Sequence, residues 1–170
     1  MNLSDYIKAK PVGKLEGHIL CFPEKILFFN NLFNKYDLKN IMEIGFNIGH
    51  SSELFLSYNN NIFVDSFDKC RHHYWKIGKD FIDQKFPNRH RLISGRSEIS
   101  IPEFIKNNKN KTYDLIFIDG CHKYHIALED LKNCKELANE NTIIVMDDTI
   151  YNRRWRNSST KGPTRAWLEM

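Results

Sequence analysis

Three aspartates and one histidine are the residues of this 170-residue chain best suited to chemistry: Asp119, Asp147, Asp148 and His122. The first aspartate follows the apolar run Leu115-Ile116-Phe117-Ile118, and the other two follow Ile143-Ile144-Val145-Met146. Runs of that length and type read as buried strands. Open α/β sheets bind ligands beyond the carboxyl ends of their strands, so both runs deliver carboxylates where ligands bind. If the two strands are neighbours, the three carboxylates come close enough to repel, and a divalent cation is their natural partner. The competing reading is that one of them caps a helix while another meets a lysine.

A second constellation is Ile41-Met42-Glu43-Ile44-Gly45-Phe46-Asn47-Ile48-Gly49-His50-Ser51-Ser52, a strand running into a glycine-containing loop and a helix start. Glycines let a backbone pass close to a ligand, and a helix N-terminus favours an anionic group. The dinucleotide fingerprint G-x-G-x-x-G demands glycine where this sequence has Asn47 and His50. A pyrophosphate would meet side chains there, so the loop suits a ligand without phosphate. Glu43, Gly45, Asn47, Gly49, His50 and Ser51 are its candidate contacts, with Glu43 an acceptor for an ammonium group. About twenty residues on, an acid at the end of a second strand can accept both ribose hydroxyls of an adenosine ligand. Asp68 is the candidate and Asp65 the runner-up.

These residues need a scaffold. Expected strands are 40–44, 62–66, 91–94, 113–118 and 142–146, each followed by a longer amphipathic stretch, the alternation of a parallel sheet covered on both faces by helices. Ile26, Phe29, Phe33 and Tyr36 recur at helical spacing after Pro23, and Ala127, Leu131, Cys134 and Ala138 do so later. The spacing therefore predicts one Rossmann-like, doubly wound α/β domain over residues 1–170, with a mostly parallel sheet of about five strands. Residues 1–38 form a helical entrance segment, 39–149 the core, and 150–170 a basic loop and the start of a helix. Ala166 and Trp167 in that last stretch have little chain to pack against.

With these segments in place, the chain resembles the class I S-adenosylmethionine (SAM)-dependent methyltransferases. Within them it is similar to the branch containing catechol O-methyltransferase-like, cephalosporin-hydroxylase-like and macrolide-sugar O-methyltransferases. Glu16-Gly17-His18-Ile19-Leu20 looks like the entrance segment, and Glu43 to Ser51 like the cofactor loop. Gly95-Arg96-Ser97-Glu98 is similar to the stretch lying against the adenine, and Phe117-Ile118-Asp119-Gly120 with His122 and Tyr124 is the most specific match. The resemblance implies SAM contacts at Arg96, Ser97 and Asp119 besides those above. It also implies a Mg²⁺ ion on Asp119, Asp147 and Asp148, and His122 as general base, with Lys123 and His125 as nearby alternatives. Class I enzymes usually continue into an antiparallel strand pair that this sequence lacks, which leaves cofactor binding more secure than turnover.

Bulk properties narrow the partners. The net charge of +4 is partly local, in Arg153, Arg154, Arg156, Lys161 and Arg165, and a solvated basic segment explains it more simply than nucleic acid does. Neither an N-P-P-Y-like motif nor a catalytic cysteine motif for nucleic-acid methylation is present. Four dispersed cysteines, no secretory leader and no long apolar run point to a soluble cytoplasmic protein with reduced thiols. The expected function is metal-assisted O-methylation of a hydroxylated small molecule or sugar. The rivals are a degenerate SAM-binding domain and a nucleic-acid methyltransferase, and self-association is left open.

Overall fold

A computed structural model describes residues 1–150 and 159–170. Strands β1 (Asn40–Ile44), β2 (Phe63–Asp68), β3 (His90–Ser94), β4 (Leu115–Ile118) and β5 (Ile143–Met146) form one sheet in the order β3-β2-β1-β4-β5. Every pairing is parallel. The chain winds outward from β1 to β3, then returns to place β4 on the other side of β1. That reversal opens a crevice at the carboxyl ends of β1 and β4, where a doubly wound sheet binds its ligands.

Both faces of the sheet are covered, which is why β4 and β5 are apolar throughout rather than alternating. On one face, Ile41, Val64, Leu115 and Phe117 pack under α1 (Leu3–Ile7), α2 (Pro23–Lys35), α3 (His50–Tyr58) and α4 (Trp75–Lys85). Phe29, Phe55 and Phe117 meet there with centroids 5.0–5.7 Å apart, two of the pairs nearly edge-on, the favoured arrangement for aromatic rings. On the other face, Met42, Ile44, Phe67, Ile116 and Ile118 pack under α5 (Ser97–Asn107), α6 (Tyr124–Glu136) and α7 (Lys161–Glu169).

The strand bounds expected at 62–66 move to 63–68, which makes Asp68 the last residue of β2 rather than a loop residue. Helix α1 falls in the expected helical entrance segment, though five residues carry too weak a period to give it bounds. It is capped by the Asn2 side chain on the Asp5 amide at 2.8 Å and docked by the Leu3 amide on the Glu53 carboxylate. The expectation that Ala166 and Trp167 have little chain to pack against fails for Ala166. Helix α7 lies along α6 with Ala166 fully buried, while Trp167 is 43% exposed. Arg153, Arg154 and Arg156 of the basic cluster lie outside the described residues. All four cysteines are free thiols, and no described helix is long and apolar enough to cross a membrane.

Candidate active site

The crevice is a cleft of about 510 Å³ whose lining includes Gly45, Asn47, Asp68, Gly95, Ser97, Asp119, His122, Asp147 and Asp148. The ladder hydrogen bonds continue past the strand ends, from the Gly45 amide to the Phe67 carbonyl and from the Asp119 amide to the Ile44 carbonyl, both 2.8 Å. These bonds hold the loops after β1, β2 and β4 against one another. Gly45 sits at φ +104°, and a Cβ there would lie 2.1 Å from the Asp119 carbonyl oxygen. The glycine is required by the loop after β4, not by ligand approach alone.

Asp68 is held rigidly. Its two carboxylate oxygens accept the Asn47 amide at 2.9 Å and the Cys70 amide at 2.6 Å, leaving each oxygen further lone pairs. Asp65, three residues earlier, does not line the cleft. It takes a bidentate pair from Arg91 at 2.8 Å and the Tyr113 hydroxyl at 2.7 Å. Asp68→Asn is therefore expected to weaken SAM binding by about 10–100-fold, the range for losing hydrogen bonds to a charged acceptor, and Asp65→Asn to leave it unchanged. Calorimetric titration of both variants checks this, and equal losses would contradict the assignment.

Glu43 requires a correction. In a strand buried on both faces it shares the Ile41 face, so its fully buried carboxyl lies beneath α3 and not in the cleft. Oε2 accepts the Ser52 and Ser66 hydroxyls at 2.6 and 2.5 Å, and Oε1 has no partner. It is not placed to receive an ammonium group of a ligand, and burial pushes its pKa up. His90 joins the same cluster through Ser66 at 2.9 Å, and burial pushes its pKa down to about 3. A group whose folded pKa is depressed favours folding above its unfolded pKa, and that contribution is lost as pH falls. The raised Glu43 acts in the opposite sense, so the informative quantity is a difference between variants. From pH 6.5 to 5, the melting temperature of the wild type is expected to fall more steeply than that of His90→Gln. Equal slopes would exclude His90 as a source of the pH dependence.

Arg96 also departs from expectation: it does not line the cleft, and its guanidinium folds onto Glu98 with Nε–O 2.7 Å. Ser97 does line it. His50 and Ser51 border a small recess beside Asn47 and Asp119. The His50 ring stacks on His18 at 3.8 Å and meets the Ser4 hydroxyl at 3.2 Å, while its buried Nδ1 has no partner. Burial, with the neighbouring His18, lowers its pKa to about 4. In the sequence His18 is legible only as part of an entrance motif, since nothing in its spacing ties it to His50.

In the same cleft, one ligand atom each from Asp119, His122 and Asp148 lie within 4.8 Å of one another. His122 Nε2 is 2.9 Å from Asp148 Oδ2, which raises the imidazole pKa and lowers that of the carboxyl. Burial, with Asp147 and Asp148 nearby, pushes Asp119 up to about 7. Asp147 is occupied by Lys25 of α2, Nζ to Oδ2 2.5 Å. Here the competing reading, a lysine on one of the aspartates, holds for Asp147. Lys25 escapes a sequence reading because it lies 122 positions away on a helix legible only by its core face. Lys123 and His125 are exposed and do not line the cleft.

Helix α7 buttresses this cluster. A Cβ on Gly162 would lie 2.0 Å from the His122 carbonyl oxygen. The Ile150 amide donates to the Thr164 hydroxyl at 3.0 Å, and Arg165 lies over the Tyr124 ring at 4.0 Å. Both loops that carry the His122–Asp148 pair are thus braced by the segment that the sequence left without a partner.

A family model described as a methyltransferase domain matches residues 42–149. No curated protein matches the chain. Among solved structures, an O-methyltransferase from Bacillus cereus in complex with SAH is similar at TM-score 0.75 and 20% identity, over 98% of this chain and 76% of that one. CalS11, a TDP-rhamnose 3'-O-methyltransferase of calicheamicin biosynthesis, matches at TM-score 0.70 and 18% identity, over 99% and 81%. A caffeoyl-CoA O-methyltransferase-type structure from Staphylococcus aureus matches at TM-score 0.68 and 22% identity, over 98% and 79%. At these identities the structures speak for the fold, and the family match, spanning the cofactor loop and all three aspartates, speaks for the activity. The chain therefore belongs to the methyltransferase-domain family and is a SAM-dependent methyltransferase of the class I fold.

Proposed function

We propose that the chain methylates a hydroxyl oxygen of a small molecule or sugar, and that a divalent cation assists. The observation that carries this reading is the His122–Asp148 pair beside Asp119, in one cleft with Asp68 and the Gly45 loop. The cleft fits SAM: the donor set has an acid with free lone pairs for ribose hydroxyls, and a recess with an unpartnered buried His50 nitrogen. When bound, SAM supplies a methyl group already activated as a sulfonium substituent.

The protein has then to align the acceptor and remove its proton. His122 takes that proton, its ring held by the Asp148 carboxylate in the arrangement that orients an imidazole base. Asp119 stands beside this pair and lies against the cofactor loop through Gly45. The residues that would hold the cation are Asp119, Asp147 and Asp148. Within that set, Asp119 and Asp148 have ligand atoms within 4.8 Å of each other and of His122, which suits one ion with bonds of about 2.0–2.6 Å, and Asp147 lines the same cleft with Oδ2 on Lys25. When bound, a divalent cation lowers the pKa of a chelated hydroxyl. The three similar structures are all named as O-methyltransferases, one of them for TDP-rhamnose and one of the caffeoyl-CoA type, which supports an oxygen acceptor here.

Labelled SAM incubated with a panel of hydroxylated sugars and phenols, with and without EDTA, tests the proposal. Label transfer to oxygen that EDTA abolishes is expected. Transfer unaffected by EDTA would overturn the metal part, and label on nitrogen or carbon would overturn the acceptor class.

A further inference from the structure

We infer that Lys25 is a resident counter-cation of the strand-end carboxylates, which a divalent ion must displace from Asp147 before it binds. The inference rests on the metal reading above and adds a residue that sets how tightly the site loads. Lys25 lies in the first turn of α2, which begins at Pro23, and its Nζ is 2.5 Å from Asp147 Oδ2 and 4.5 Å from the centre of the Phe22 ring. The pair is sheltered, with side-chain exposures of 28% for Lys25 and 13% for Asp147, against 69% and 49% for the surface pair Lys76–Asp80. Sheltered charges are screened far less by salt and solvent than exposed ones.

Three carboxylates line this cleft, and among the described residues the basic side chains paired to them are Lys25, on Asp147, and His122, on Asp148. An ammonium there offsets one negative charge and occupies an oxygen that an incoming ion would use. Metal sites bind hard cations more tightly as the count of uncompensated carboxylates rises. Removing the ammonium therefore strengthens cation binding. A purely mechanical role for Lys25, as a latch holding α2 to the end of β5, predicts no such gain.

The test is a Mn²⁺ titration followed by electron paramagnetic resonance and calorimetry on the full chain, so that no acceptor or turnover is needed. Lys25→Met, which keeps an unbranched apolar side chain without the charge, is expected to bind Mn²⁺ about tenfold tighter than wild type or more. Lys25→Arg, which keeps the charge, is expected to stay within about threefold of wild type, and adding Asp147→Asn to Lys25→Met is expected to cancel the gain. Lys25→Gln serves in place of Lys25→Met should the latter not fold by circular dichroism. Equal or weaker binding by the neutral variants, where wild type binds, overturns the role of Lys25 and leaves the metal reading standing. Mn²⁺ binding by neither protein overturns both.

Discussion

Asp119→Asn is expected to reduce methyl transfer by about a hundred- to a thousandfold while changing SAM affinity by less than about tenfold. The asymmetry follows from position. Asp119 touches both the cofactor loop and the His122–Asp148 pair, and its backbone, not its carboxylate, meets the loop: the amide bonds the Ile44 carbonyl and the carbonyl packs against Gly45. The substitution keeps that backbone and removes one negative charge from the place where the acceptor proton is taken. Effects of that size are typical when an electrostatic element of the reacting centre is lost. Single-turnover transfer from labelled SAM, set beside a calorimetric SAM titration, separates the two quantities. A parallel loss in both would move Asp119 from the chemistry to cofactor binding.

Gly45→Ala is expected to destabilise the fold by several kcal/mol and to abolish SAM binding in whatever folded protein remains. Two costs add. An alanine at φ +104° is strained, by about 1–3 kcal/mol for a residue in a sparsely populated region. Its Cβ would also sit 2.1 Å from the Asp119 carbonyl oxygen, a backbone atom that cannot rotate away. Relief requires the loops after β1 and β4 to part, and these are the two walls of the crevice. Denaturant unfolding of Gly45→Ala beside wild type reads the first effect, and a stability change under about 1 kcal/mol would mean that the loops separate freely.

Much of this architecture is legible in the sequence for a physical reason. A strand buried on both faces must be apolar, so Leu115–Ile118 and Ile143–Met146 stand out, and the acids that follow have to sit at the sheet's carboxyl edge. Asp68 is readable in the same way. Glu43 is easily misplaced because sequence proximity to the loop says nothing about which face a side chain takes. Strand alternation puts it with Ile41 beneath α3. Resemblance assigns Arg96 to the cleft, but a guanidinium two residues from Glu98 pairs locally instead. Lys25 and His18 carry no periodic signal, because what matters in each is a partner far away in the chain, Asp147 for one and His50 for the other. Helix α7 is underestimated because the surfaces it packs on, α6 and the His122 loop, are set by the fold and not by its own short sequence; the missing side chain of Gly162 is what lets it lie against that loop.

One cleft is thus proposed to hold SAM at Asp68 and the Gly45 loop and to perform its chemistry at Asp119, His122 and Asp148. A crystal structure of the protein grown with SAM and Mn²⁺ is the decisive measurement. It is expected to show ribose hydroxyls on the Asp68 carboxylate, the methionyl end in the recess beside His50 and Ser51, and an anomalous manganese peak among Asp119, Asp147 and Asp148. Cofactor density away from Asp68, or a manganese peak at other residues with the three aspartates bare, would contradict this arrangement.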